Sequence, residues 1–245
     1  LLSPAPEIGL GLLETTGLLN AILPELSPCR GCSQKGLHAF DVMDHLFLAA
    51  KAARPDLVIR LAALLHDVGK PVARALDEAG VPTFYNHEKI SSAMAEKALK
   101  RLKFPNEVVS RVLHLIINHM FNYTEDWTDA AVRRFIARVG RDSLDDLFSL
   151  RIADTSATQG HAPDPRLIEP FRLRIQSILS MDGAFSVKDL KVGGNELAGI
   201  GIPRGPAMGK ILNELLETVL DDPDQNEETR LLAIASALKP KFGLQ

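Results

Sequence analysis

Several things are scarce in this 245-residue chain, and each scarcity removes a class of answer. Cysteine occurs twice, as Cys29 and Cys32. One C-x-x-C supplies half of the four ligands that a structural zinc site takes. A redox pair of that spacing normally stands beside a βαβ unit, and no such unit is legible. The pair reads as two plain thiols in a loop, and without a disulfide framework the expected location is cytoplasmic. Aromatics make up 5% of the chain, and no segment alternates apolar and polar residues as a half-buried strand would. No run approaches the ~20 apolar residues of a membrane span, so no membrane partner is expected. Net charge is −3, so any RNA contact would have to come from local basic patches. The N-terminus has no basic region and carries Glu7 and Glu14, which excludes a signal peptide. It also lacks an initiator Met, which leads us to expect a piece of a longer protein.

Leu and Ala are abundant, and they favour helix. The expected fold class is all-α. Short helices with Leu10, Leu12, Leu13, Leu18, Leu19 and Ile22 precede Pro24, and a loop rich in Gly, Ser and Lys runs to Leu37. A helix from Asp41 carries the stripe Val42, His45, Leu46, Ala49 and Ala53. The next, Leu57 to Val68, ends in His66-Asp67 before Gly69 and Pro71 break it. Residues 72–86 read as a loop with one short turn. A helix from His87 to Leu102 follows, then one capped by Asn106 that carries Val108, Val112, Leu115, Ile116 and His119 on one face. Further helices are expected over 129–139, opened by Thr128 and closed by Gly140, and over 143–153, with Asp154 just beyond. A loop over 155–165 holds His161. The remaining expectations are a helix over 166–179, an irregular stretch over 180–206, and two closing helices over 207–220 and 227–238.

His45, His66, His87, His119 and Asp154 are polar residues on otherwise apolar helix faces, and Asp67 rides beside His66. One buried histidine is more often a satisfied core residue than a ligand. Four histidines and a carboxylate on core faces of separate helices are hard to satisfy one by one, because each unpaired buried polar group costs ~1–3 kcal/mol. Convergence on metal is the simplest solution. Six N/O ligands exceed what one tetrahedral zinc takes, and they suit two divalent ions sharing Asp67 as a bridge. Lys70, three residues after Asp67, can meet a phosphate oxygen at the rim.

His45, then His66-Asp67, then Asp154 resembles the H…HD…D signature of the HD superfamily of metal-dependent phosphohydrolases. His87 and His119 are similar to the extra histidines of its binuclear members. The chain also resembles the neck and body of bacterial tRNA nucleotidyltransferases, the CCA-adding enzymes and related poly(A) polymerases. That likeness rests on Leu23–Leu26, His38–His45, Arg60–Pro71, Phe84–Glu88, Ala131–Arg134 and Gly201–Pro206. Those enzymes also carry a nucleotidyltransferase head with a Gly-rich strand-turn and paired aspartates. Here Gly193-Gly194 lacks the sequel of that turn, and Asp222-Pro223-Asp224 sits in a polar turn.

The resemblance implies an HD-domain helical bundle with additional C-terminal helices. Its segments would be neck-like helices and a loop over 1–36, an HD phosphohydrolase domain over 37–160 and a helical body or tail over 161–245. It implies one or two divalent ions (Mn, Fe, Co, Ni, Zn or Mg) held by His45, His66, Asp67, His87, His119 and Asp154. The expected function is hydrolysis of phosphate esters of nucleotides or RNA 3′ ends, with Asp67 and Lys70 as catalytic residues. The alternative is a non-catalytic tRNA-binding body, with Lys70, Arg133, Arg134 and Arg138 meeting phosphates. The arginines, together with Arg141 and the run Lys97, Lys100, Arg101 and Lys103, also fit a plain solvated helix face. A purely structural helical domain without metal is the third reading.

Overall fold

A computed structural model describes residues 1–34, 40–159, 168–181 and 183–244. The all-α expectation holds, since among the described residues the only sheet is one two-stranded hairpin. The chain forms two compact units. The first comprises Leu1–Asn122 with Asp142–Leu167, and the second Tyr123–Arg141 with Ile168–Gln245, as far as these are described. The segments 1–36, 37–160 and 161–245 do not coincide with these units.

In the first unit α1 (Pro6–Thr15) and α2 (Leu18–Ile22) precede α3 (Val42–Ala52) and α4 (Leu57–Leu65). There follow the short α5 (Lys70–Ala73), α6 (His87–Arg101), α7 (Asn106–Asn118) and, after the excursion into the second unit, α9 (Leu144–Gln159). Every residue of α4 from Val58 to Leu65 is buried. A helix that is apolar all round belongs at the centre, and α4 packs against α3, α7 and α9. Two aspartates set the starts of these central helices. Asp41 accepts from the Asp44 amide at 2.9 Å and Asp56 from the Ile59 amide at 3.1 Å. Arg60, buried on α4, donates to the Ala53 carbonyl at 3.1 Å and to the Ser3 carbonyl at 2.6 Å, which ties the start of the chain to the core.

The second unit holds α8 (Asp129–Val139), α10 (Glu169–Ser180), α11 (Gly194–Gly199), α12 (Pro206–Asp221) and α13 (Glu228–Leu238). Leu197, Ile211, Leu215, Val219 and Leu231 form one part of its core. Phe171 forms another, stacked on Tyr123 at 4.1 Å between ring centres and edged by Trp127. Thr128 and Gly140 bound α8 as expected.

Several boundaries differ from the sequence reading. Asn106 does not cap α7; Pro105 stands at the cap and Asn106 is the first helical residue. The loop over 72–86 contains the hairpin β1 (Ala75–Leu76) and β2 (Pro82–Thr83), paired antiparallel. Two-residue strands leave no periodicity to read. The turn is set by Asp77, whose carboxylate accepts from the Ala79 and Val81 amides, and by Gly80 at φ +75°. Residues 155–159, expected in a loop, continue α9. The hydroxyls of Thr155, Ser156 and Thr158 donate to the carbonyls of Arg151, Ile152 and Asp154, four residues back, so the helix satisfies them itself. His161 lies outside the described residues. The helix expected from 166 is described from Glu169, and the stretch over 180–206 contains α11. Cys29 ends a 3-10 helix (Pro24–Cys29) rather than lying in a loop. Both thiols are free and buried, and burial raises the pKa of each, so they are inert core groups.

Gly69 sets how closely α5 approaches α6. A Cβ there would stand 2.6 Å from the Ser91 amide nitrogen and 2.9 Å from the His87 carbonyl, both backbone atoms that cannot swing aside. The Gly69 amide also donates to the Ser91 hydroxyl at 2.9 Å. Gly69→Ala is therefore expected to lower stability by about 1–3 kcal/mol in denaturant unfolding, by forcing α6 outward. A variant as stable as the parent would show that the contact yields.

Candidate metal centre

Five separate helices deliver six side chains to one buried point of the first unit. His45 comes from the middle of α3, and His66 caps the C-terminus of α4 with Asp67 next to it. His87 is the first residue of α6, His119 caps the C-terminus of α7, and Asp154 lies on α9. The four histidines and Asp67 are buried, with Asp67 at 2% exposure. All six expected ligands thus lie together.

Their geometry divides them into two sets that share Asp67. Asp67 Oδ2 lies 3.2 Å from His66 Nε2 and 3.5 Å from His45 Nε2. His45 Nε2 is also 3.2 Å from Asp154 Oδ1 and from His66 Nε2. On the other side, Asp67 Oδ1 lies 3.0 Å from His87 Nε2 and 3.7 Å from His119 Nε2, and those two nitrogens are 3.3 Å apart. His45, His66 and Asp67 form one group able to hold a metal ion, and Asp67, His87 and His119 the other.

The hydrogen bonds of the rings decide between an ordinary polar network and a metal site. His66 Nδ1 faces the Ala63 carbonyl at 2.9 Å, His87 Nδ1 the Phe84 carbonyl at 2.7 Å and His119 Nδ1 the Ile116 carbonyl at 2.7 Å. A carbonyl only accepts, so each Nδ1 carries a proton, and a ring that is neutral turns a bare Nε2 lone pair inward. A neutral His87 so oriented has no Nε2 proton to give Asp67 Oδ1, which is buried without a hydrogen-bond donor. Lone pairs facing a carboxylate at 3.0–3.7 Å repel one another unless a cation lies among them. Ligand atoms about 2.1 Å from a common ion stand about 3.0–3.4 Å from each other, and most of the spacings here fall in that range, with His45 and His119 at 3.5 and 3.7 Å from Asp67 slightly beyond it. The residues present fit divalent metal.

The same field draws protons. Burial opposes charge on His66, yet Asp67 and Asp154 beside it raise its pKa to about 10. Burial and the charge on His66 push His119 down to about 3. Burial disfavours the charged forms of the two aspartates, but His66 and Lys70 hold Asp67, and His45 and His66 hold Asp154, well below the usual carboxylate range. A metal therefore competes with a proton for His66, and its binding weakens as pH falls.

A cavity of about 520 Å³ opens onto one of the two sets. Asp67, His87, His119 and Asp154 line it, whereas His45 and His66 do not. The deeper set has four protein donors, two of which, His45 and His66, do not reach the cavity. The outer set has three and faces open space, the distinction that separates structural from catalytic metal sites.

Lys70, the first residue of α5, also lines the cavity. Its ammonium lies 2.6 Å from Asp67 Oδ2 and donates to Gln34 Oε1 at 2.6 Å. The sequence reading gave Arg151, within the helix expected over 143–153, no role at the site. Arg151 Nη1 lies 3.1 Å from Asp154 Oδ2, and the residue lines the cavity. Its position three residues before Asp154 on one helix was the available signal. Arg133, Arg134 and Arg138 belong to α8 in the second unit. Arg133 donates to the Leu220 and Asp221 carbonyls. Arg134 pairs with Glu217 and Asp221, and Arg138 lies over the Phe135 ring. In the lysine run, Arg101 pairs with Glu25 and Lys100 with Glu96.

Residues 37–158 match the HD domain family, and the chain carries an HD domain. It is 34% identical over 223 residues to the A-adding tRNA nucleotidyltransferase of Deinococcus radiodurans, covering 88% of this chain and 51% of that protein. It is 37% identical over 223 residues to the CC-adding tRNA nucleotidyltransferase of Thermus thermophilus, covering 89% and 50%. A multifunctional CCA protein of a Janthinobacterium species is 28% identical over 256 residues, covering 95% and 53%. The chain spans about half the length of these curated relatives. No solved structure matches significantly.

The division of the donors yields a stoichiometric test. After loading with Mn(II) or Co(II) and dialysis, elemental analysis is expected to find two ions in the parent chain and about one in His87→Ala. Asp67→Ala, which removes the shared oxygens, is expected to hold none. Equal metal content in all three would exclude a shared carboxylate.

Proposed function

We propose that this chain is a divalent-metal-dependent phosphohydrolase acting on phosphate esters of nucleotides or RNA 3′ ends. The observation that carries the reading is the three-donor face Asp67–His87–His119 at the floor of an open cavity, beside a second set whose His45 and His66 do not reach that cavity. Imidazole with carboxylate suits Mn, Fe, Co, Ni or Zn better than the all-oxygen surroundings that Mg prefers. The ions, when bound, supply Lewis-acid polarisation of a phosphoryl oxygen and lower the pKa of water.

The protein's own groups do the rest. Asp67 presents one oxygen to each donor set, and Lys70 fixes that carboxylate from the side at 2.6 Å. Two of the three N–H groups of Lys70 go to Asp67 and Gln34, and the third serves a phosphate oxygen. Arg151, anchored by one nitrogen to Asp154, offers the rest of its guanidinium to the same phosphate from the α9 wall. Water adds to phosphorus, the ester P–O bond breaks, and the proton lost by the water leaves on the departing alcohol. The test is release of product from 2′,3′-cyclic nucleotides and from p-nitrophenyl phosphate with Mn, Co, Ni or Mg added. Asp67→Ala is expected to lower kcat/KM by about a thousandfold or more. Absence of turnover with every metal, or turnover that survives Asp67→Ala, refutes the reading.

A second reading has its own support. The likeness to tRNA nucleotidyltransferases covers 88–89% of the chain and so extends beyond the HD domain into the second unit. On this reading the chain grips tRNA, with Arg138 and the exposed part of Arg134 meeting phosphates. Titration of tRNA is then expected to give an affinity that falls steeply with salt, with a slope smaller by about one in Arg138→Ala. No binding at low salt rules this role out.

A further inference from the structure

The cavity above the metal centre is larger than a phosphate group needs. Its volume of about 520 Å³ lies within the ~300–1,000 Å³ of pockets that enclose whole small molecules. Its floor is polar and charged, but its mouth is not. Tyr85 is 79% exposed and Met120 56% exposed, and both line the opening. Two large apolar side chains left in water beside a phosphate-directed floor are a surface waiting for a cover.

Their placement ties them to the outer donor set. Met120 directly follows His119 in the chain. Tyr85 stands two residues before His87, and Asn86 between them holds a left-handed conformation at φ +60° that turns the chain into α6. The bond between His87 Nδ1 and the Phe84 carbonyl spans that turn. The backbone that orients the two outer histidines thus also carries the two mouth residues. Phe84, half-buried, lines the same cavity with Lys70 Nζ 5.6 Å from its ring centre, so the lysine already stands against its ring.

We propose that Tyr85 and Met120 form a subsite for the flat base of a nucleoside phosphate, whose phosphate reaches the Asp67–His87–His119 floor. The destination of the phosphate rests on the phosphohydrolase reading; the stacking surface does not. A tyrosine ring offers a π-face and a thioether offers polarisable bulk, and neither needs a particular pattern of donors and acceptors. The subsite therefore accepts any base, favours purines by their larger area, and gains nothing from an alkyl or sugar phosphate.

The test compares AMP, UMP and ribose 5-phosphate, titrated calorimetrically into the Mn(II)-loaded full chain, with phosphate release followed separately. AMP is expected to bind about tenfold or more tighter than ribose 5-phosphate, with UMP between them. In Tyr85→Ala and in Met120→Ala that ratio falls toward one, and Tyr85→Phe retains it. The metal content of each variant checks that the centre is intact. Equal affinity for AMP and ribose 5-phosphate in the parent chain, no binding of AMP, or a ratio unmoved by Tyr85→Ala overturns the proposal. Binding is read whether or not phosphate is released. Absent turnover with base-dependent binding would therefore count against hydrolysis and for the subsite.

Discussion

The structure of the first unit turns on one carboxylate that cannot be satisfied by ordinary hydrogen bonding. Asp67 is buried and charged, one of its oxygens has no hydrogen-bond donor, and the Nδ1 protons of three imidazoles around it are committed to backbone carbonyls. Lys70 balances one oxygen. The other faces only lone pairs, and the natural remedy is positive charge of a kind that accepts several ligands at once. The placement of α3, α4, α6, α7 and α9 suits that remedy, because each brings a side chain able to bind metal and none brings more than one of the histidines. The close approach at Gly69 brings the start of α6, with His87, against the end of α4 and its Asp67.

Much of this was legible in the sequence because histidine on an apolar helix face breaks a strong pattern. His45 interrupts a run of buried residues on α3, and His119 ends the apolar stripe of α7. Five of the six residues that the fold brings together were read from such interruptions, and Asp67 from its place beside His66. The rest was not legible because it depends on directions in space. Sequence spacing places His66 and His87 alike, but only the fold shows that one lies behind Asp67 and the other in front of it. The lining role of Arg151 was hidden because an arginine on a helix reads first as a solvated charge. The hairpin over 75–83 was hidden because its strands are shorter than any period.

The arginines of α8 show the converse. As a sequence cluster they look like a phosphate-binding surface. In the fold two of them are drawn to the C-terminal end of α12, where exposed carbonyls and the acids Glu217 and Asp221 gather. Positive residues close in sequence become the capping of a neighbouring helix. Arg138, exposed and lying over Phe135, is the member of the group left facing outward.

The capping positions of His66 and His119 have an electrical consequence. Two helices, α4 and α7, end at the centre and direct the negative poles of their aligned peptide dipoles at it, while α6, which starts at His87, directs one positive pole. Each such pole is equivalent to roughly half an elementary charge. The attraction for a cation is therefore shared between the carboxylates and the main chain. The main-chain share cannot be removed by any single side-chain substitution, and it does not titrate. A centre stripped of one acidic ligand would keep the part of its field that is set by the direction in which its helices run.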